Sequence, residues 1–405
     1  MFTAERNPSL KQVLLASGLI LTMAMGVRHG FGFWLQPISQ ANGWTRETFS
    51  LALALQNLMW GAFGPFAGMA ADRFGTARVV IAGAFFYMAG LLWMATMTNP
   101  TLFVVGSGIL LGAALACTAF GAVSGVIGRT APESRRSWAF GISSAASSFG
   151  QFVMMPVEQK IISEFGWQNA FYLLGALVVL IMVPMALRLR EPARATASGT
   201  EQSIMAATRE AFSYRPFLLL LAGYFVCGFQ VVFIGVHMPA YLKDKGIFDP
   251  NVAVMALALI GLFNIFGSYY AGKLGGTLPK RYLLSTIYLG RAIIIALFLL
   301  APLSSFSVYV FAAAMGFLWL STVPLTNGVI AGIFGVKYLS MLSGFVFFSH
   351  QVGSFLGVWL GGYLYTLNGN YNVVWMITIA LGVFAAGINL PINEKPIQRL
   401  QPAMA

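Results

Sequence analysis

The sequence is short of charge, and of acid above all. Only 9% of its 405 residues are Asp, Glu, Lys or Arg, and Asp and Glu together number 12. A soluble domain carries about 25% charged residues, so an ordinary soluble enzyme or binding module is excluded. There are two cysteines, Cys117 and Cys227. Both fall in apolar runs, where a thiol is a small packing residue, and a disulfide framework is excluded. The chain has no Walker-type phosphate loop, no cluster of metal ligands and no nucleophile–base motif. We therefore expect no ATP chemistry, no metal, no cofactor and no enzymatic activity.

What the chain has instead is apolar length. It is 58% hydrophobic, with a mean hydropathy of +0.77, and its apolar runs come in lengths of roughly 20 residues, enough to cross a bilayer. The net charge of +12 raises nucleic acid as a partner. The basic residues fall instead in short loops between spans, as membrane topology requires, and nucleic acid is rejected. Twelve spans are expected: 10–37, 46–71, 79–97, 102–128, 138–162, 167–187, 217–242, 252–274, 282–301, 307–334, 339–364 and 373–390. The first is too long for a signal-peptide core and is expected to be retained. The one long polar stretch, 188–214, reads as a linker with a short amphipathic helix near 203–212. It divides the chain into halves 1–187 and 215–405. Arg73, Arg78, Arg129, Arg135, Arg136, Lys273, Lys280, Arg281 and Lys337 face one side with the linker and the termini, whose basic residues include Arg6, Lys11, Lys395 and Arg399. Arg46, Lys243 and Lys245 face the other, with Lys160 near that surface. Basic loops stay inside, so both termini are expected in the cytoplasm.

Between spans 2 and 3 the chain reads Gly68-Met69-Ala70-Ala71-Asp72-Arg73-Phe74-Gly75-Thr76-Ala77-Arg78. Gly68 permits close helix packing, and Gly75 permits a turn that other residues resist. Asp72 can accept from a neighbouring helix N-terminus or pair with Arg73 and Arg78. This G-x-x-x-D-R-x-G-x-x-R pattern resembles the loop signature of the major facilitator superfamily. The same place in the second half holds Gly272 to match Gly68, but Gly276 where Asp72 stands, and ends in Lys280-Arg281. A fainter match sets Gly141 and Gly150 of span 5 against Gly344 and Gly353 of span 11, and His350 against Ser147. Two six-helix halves related by sequence are what alternating-access carriers use. The resemblance implies an all-α bundle of twelve spans in a bacterial cytoplasmic (inner) membrane, acting as a monomer. Within the superfamily the pattern is most similar to bacterial relatives of monocarboxylate carriers and oxalate/formate antiporters. Those relatives commonly bind carboxylate through a basic residue on helix 8, whereas span 8 here offers Asn264.

Ionisable groups inside the membrane are functional candidates by default. Arg28 and His29 lie in span 1, about 100° apart, so both are not expected to point the same way. Arg291 lies in span 9, and it reads either as a cap on helix carbonyls or as a functional group. His350, in span 11, reads either as a packing histidine or as a ligand. Glu158 follows Pro156 and precedes Lys160, so it is placed near the outer surface, paired with Lys160. His237 is expected at the outer rim. An interior with cations and no fixed anion calls for an anionic solute, and Arg28 is expected to hold a carboxylate with help from His350. Gln56, Asn57, Gln151, Gln230, Asn264 and Asn327 are further candidates for the pathway. Pro324, Asn327 and Gly328 make span 10 the place expected to bend.

The reading is thus a secondary carrier for a small organic anion, driven by protons or by exchange. Proton coupling would fall to a histidine, for want of a buried acid. The alternative is an efflux carrier for amphipathic compounds, with aromatics and methionines lining a greasy pocket. A membrane-bound sensor or enzyme would need a domain or motif that the chain does not display.

Overall fold

The structure, a computed structural model, describes residues 9–44, 46–189 and 202–397. Its described elements are helical, in the order α1 (Leu10–His29), a 3-10 segment (Gly30–Trp34), α2 (Leu35–Asn42), α3 (Arg46–Phe74), α4 (Thr76–Thr96), α5 (Pro100–Thr118), α6 (Phe120–Thr130), a 3-10 turn (Glu133–Arg135), α7 (Arg136–Arg188), α8 (Ile204–Ser213), α9 (Arg215–Asp244), α10 (Pro250–Leu274), α11 (Lys280–Leu300), α12 (Ser305–Leu318), α13 (Thr322–Phe334), α14 (Leu339–Asn368) and α15 (Asn372–Asn389).

Local chemistry sets these ends. Ser9 and Gln12 form a reciprocal capping box at α1, and Asn99 caps α5 ahead of Pro100. Gly75, at φ 94° and ψ 141°, turns the chain between α3 and α4 in a conformation only glycine takes cheaply. Gly166 (φ 76°, ψ 161°) turns α7 between its two arms. Ten described helical segments are long and apolar enough to cross a membrane, one of them the 56-residue run Glu133–Arg188. Counting its two arms separately and adding the 29-residue α3 gives twelve spans.

The expected amphipathic helix is α8, capped by Ser203. The rest of the expected linker, 190–201, lies outside the described residues, as do Arg6 and Arg399. Three expected spans are interrupted. Span 1 gives way after His29 to the 3-10 segment Gly30–Trp34 before α2. Span 4 breaks at Ala119 between α5 and α6. Span 10 breaks at 319–321 between α12 and α13, a few residues before the expected bend. Pro324 falls in the first turn of α13, where proline costs little.

The apolar core has three parts. One lies at the end of the bundle that carries the motif loops and mixes residues of both halves, Val13, Val126 and Phe140 with Phe334, Leu339 and Met341. The second is built almost wholly from the first half, around Trp34, Tyr87 and Phe171. The third belongs to the second half, around Phe233, Phe311 and Trp375. The halves therefore share a core on the motif-loop side and keep separate cores on the other.

Candidate substrate cavity

A cavity of about 150 Å³ lies between the halves at mid-depth. The first half contributes Leu21, Met25, Arg28, His29, Trp60, Ser147 and Gln151. The second contributes Tyr224, Trp319, Asn327, Phe347, His350 and Gln351. The breaks in spans 4 and 10 meet it, through Ala119, Phe120 and Gly121 on one wall and Trp319, Leu320 and Val323 on another. Among the described lining residues Arg28 is the sole Lys or Arg, and none is Asp or Glu.

Arg28 is held from three directions. Its Nη2 donates to Asn57 Oδ1 at 2.5 Å. Its guanidinium carbon stands 4.9 Å from the centroid of the Trp60 ring, a cation–π contact. Nη1 is 3.4 Å from His29 Nε2, and His29 Nδ1 is 2.7 Å from Met25 O. Nε of Arg28 is buried with no hydrogen-bond partner among the described residues. The expectation that Arg28 and His29 diverge is therefore corrected. Both line the cavity, because Arg28 has a long flexible stem and α1 gives way to a 3-10 turn just beyond His29.

His350 faces Arg28's half across the cavity. Its ring stacks on Phe347 (5.4 Å, 13°) and tilts against Tyr224 (5.1 Å). Nδ1 is 3.2 Å from Gln351 Oε1, and Gln351 Nε2 donates to Asn57 O at 3.0 Å. Arg28 and His350 are thus linked across the halves by Asn57 and Gln351. Ser147, matched to His350 by the internal repeat, lines the same cavity.

The remaining candidates separate. Gln151 and Asn327 line the cavity, and Asn327 Oδ1 accepts from Ser343 Oγ at 2.5 Å. Gln56 is buried outside it, its Nε2 without a partner among the described residues. Gln230 is spent on Thr378 O (3.0 Å) and on Arg291 (3.4 Å). Asn264 donates to Ser148 Oγ (2.7 Å) and accepts from Leu320 N (2.9 Å). Gln230 and Asn264 therefore tie helices together. Arg291, fully buried, donates to Leu318 O (3.1 and 2.7 Å) and to Trp319 O. It caps the carbonyls freed at the span 10 break. His237 is also a tie, to Val358 O at 3.0 Å and Tyr371 Oη at 3.4 Å.

Two features escaped the sequence reading. Glu158 is not at the surface with Lys160. It is 0% exposed, its Oε2 accepts from Trp34 Nε1 at 3.4 Å, and Lys160 reaches Glu164 instead (3.9 Å). Residues two apart on a helix point about 200° apart, so Lys160 faces out where Glu158 faces in. The second is Arg129, which pairs with Asp72 at 3.0 Å. The other carboxylate oxygen of Asp72 accepts from Met341 N at 2.9 Å, in the first turn of α14. The helix N-terminus foreseen as one partner for Asp72 is among those it has. Gly68 packs against the backbone of Ser340, Gly75 makes the turn, and Arg73 and Arg78 are exposed beyond it.

Known proteins resemble this chain in sequence and in fold. The profile of the Major Facilitator Superfamily matches residues 14–325. Over 351 residues the chain is 27% identical to "Monocarboxylate transporter 13" of Rattus norvegicus, covering 84% of this chain and 77% of that one. Over 402 residues it is 22% identical to "Oxalate:formate antiporter" of Oxalobacter formigenes, covering 96% and 93%. A crystal structure of the E. coli fucose:proton symporter FucP superposes with a TM-score of 0.73 at 17% identity, over 95% of this chain and 99% of that one. With a family profile spanning most of its length and the bundle to match, this chain belongs to the major facilitator superfamily of membrane transporters.

Proposed function

We propose that the protein is a secondary carrier for a small organic anion of the monocarboxylate kind. It works by rocking the halves 1–187 and 215–405 about the cavity, joined by the linker 188–214. The observation that carries this reading is Arg28, a cation facing a cavity whose described lining residues include no carboxylate. A charge held in a low-dielectric interior needs a partner, and guanidinium grips carboxylate through paired hydrogen bonds. Nη1 and Nη2 are the atoms a carboxylate would take, displacing Asn57 and His29.

The cavity's size favours a small solute over the efflux alternative. A cavity of about 150 Å³ holds a molecule the size of benzene, whereas drug-sized ligands occupy about 300–1,000 Å³. Its apolar walls, Trp60, Phe120, Phe347 and Trp319, suit the hydrocarbon end of a carboxylate, and His350 would assist at the far wall. The names of the two relatives point to carboxylates as well. We take the membrane to be a bacterial inner membrane with the motif loops and both termini on its cytoplasmic side, as the basic loops favour, which makes the joined side the cytoplasmic one. We take the working unit to be a monomer.

Uptake of short radiolabelled carboxylates into proteoliposomes tests this. A hydrogen bond to a charged group is worth about 1.5–3 kcal/mol, so Arg28→Ala should lower uptake by roughly 10- to 150-fold at equal incorporation. Undiminished uptake by Arg28→Ala would overturn the reading. So would wild-type vesicles that move only uncharged amphipathic compounds.

A further inference from the structure

The transport reading uses Arg28 and leaves the most buried acid among the described residues without a task. Glu158 sits in the first arm of α7, toward its Gly166 end. Its side chain is sealed by the 3-10 segment that follows α1: Trp34 supplies its one hydrogen bond at 3.4 Å, and Gly30 lies directly against the carboxylate. A methyl group in place of the Gly30 hydrogen would overlap Glu158 Oε2. Oε1 is buried and has no hydrogen-bond partner among the described residues.

The surroundings offer no counter-charge. From α1, the nearest ionisable groups are Arg28 and His29, which are engaged with Asn57 and Met25. From α4, Tyr87 is within electrostatic range of both Glu158 and Arg28, and its hydroxyl donates to Ala24 O at 2.9 Å. From the second arm of α7, Phe171 stacks on Trp34 at 3.9 Å and carries no charge. On the first arm, Lys160 and Glu164 are exposed and reach each other. Among the described residues no cation pairs with Glu158. An ionised carboxylate so placed would be far more costly than the neutral acid.

We propose that Glu158 is the proton-binding site of the transport cycle, with the segment Gly30–Trp34 as the cover that separates it from water in this state. Resting on the anion-carrier reading, this adds the coupling. A proton from water on one side binds Oε1 and converts the carboxylate to the neutral acid. After the halves rock, the cover moves and the same proton returns to water on the other side. Because Arg28 and the cover occupy consecutive stretches of one chain, carboxylate binding at Arg28 and the position of the cover are mechanically joined. One proton moves with one monocarboxylate, so net charge is balanced.

Two measurements test it. The first is independent of any substrate: infrared spectra of the purified full-length protein at neutral pH, for wild type and Glu158→Gln. Wild type should show the carbonyl stretch of a protonated carboxyl that Glu158→Gln lacks. If no such band separates the two, the proposal fails, whatever is transported. The second uses proteoliposomes, radiolabelled lactate and a gradient of one pH unit, acid outside, with protein-free vesicles subtracted. One pH unit is a factor of ten in driving force, so wild type should accumulate lactate about tenfold. Glu158→Gln should equilibrate it without accumulation, while lactate–lactate exchange persists. Accumulation by Glu158→Gln equal to wild type would overturn the proposal. Glu158→Asp, which keeps the carboxyl, should retain both the band and accumulation and guards against a folding defect. If lactate does not move at all in wild type, the anion reading is the one in question, and the infrared arm still decides Glu158.

Discussion

The halves meet along two seams that occupy matching places in the internal repeat, and the seams are built differently. In the first, α3 packs on α14. Gly64 lies against Gly344 and Gly68 against Ser340, and the seam is fastened by charge: Asp72 receives Met341 N at 2.9 Å and Arg129 at 3.0 Å. In the second, α10 packs on α7. Gly272 meets Gly141 backbone to backbone, and the fastenings are neutral: Ser144 to Ser268 at 3.2 Å, and Asn264 to Ser148 at 2.7 Å. Small residues are needed in both, because helices in lipid associate by close backbone packing with no hydrophobic force to bring them together. Charge is needed in only one. Gly276 stands where Asp72 stands in the first copy, so the repeat has kept the packing surface and lost the charge.

Crowding the neutral seam should have the largest effect. A Cβ at Gly272 would lie 2.6 Å from Gly141 Cα and 2.7 Å from Ser137 O. These are backbone atoms that cannot swing aside. Gly272→Leu should exceed the roughly 1–3 kcal/mol typical of overpacking and abolish transport while the protein still inserts. The measurement is alkylation of Gly121→Cys, a cavity position with open space around it, by an impermeant thiol reagent applied from the motif-loop side. The rate should rise sharply over the same cysteine in the parent chain.

Unfastening the charged seam comes next. Asp72→Asn keeps the shape and removes the charge that holds Arg129 and the α14 N-terminus. A loss of about 1–3 kcal/mol corresponds to a 5- to 150-fold shift in a two-state equilibrium. The same alkylation rate should increase within that range, and an unchanged rate would mean that Asp72 is not a latch. The smallest effect is expected from Ser148→Ala, which removes the bond from Asn264 across the neutral seam. Hydrogen bonds between membrane helices average about 0.6 kcal/mol, so the rate should change less than about threefold. If Ser148→Ala equalled Asp72→Asn, the contrast between the seams would be lost.

Much of this was legible in the sequence because it rests on backbone geometry. Gly68, Gly75, Gly141, Gly272 and Gly344 sit where a side chain would collide or a turn would strain, and such positions leave a regular mark in one chain. The twelve spans were legible from length and apolarity. The helix breaks were legible only in part: span 10 was expected to bend, but at 324–328 and not at 319–321, and no break was expected at Ala119. Neither Ala119 nor 319–321 contains glycine or proline, and the second break is held by Arg291 from α11 and Asn264 from α10. Both were visible as polar groups in apolar spans, but nothing in a single sequence pairs them with Leu318 and Leu320. Glu158 was misplaced because its neighbours along the chain, Pro156 and Lys160, are not its neighbours in space. Arg28, Gln151, Asn327 and His350 line the cavity together, while Gln230 and Asn264, alike in type and depth, turn to helix–helix contacts.

Everything in the transport reading turns on Arg28 making the cavity an anion site. Thermal denaturation of the purified full-length protein with formate, oxalate, lactate and benzoate puts that to the test without any flux assay. A ligand that binds only the folded state at 100 times its Kd adds about 2.7 kcal/mol of stability. At least one of these carboxylates should raise the melting temperature of wild type and leave Arg28→Ala unmoved. Equal stabilisation of both proteins, or stabilisation of wild type by uncharged amphipathic compounds alone, would contradict an anion site at Arg28.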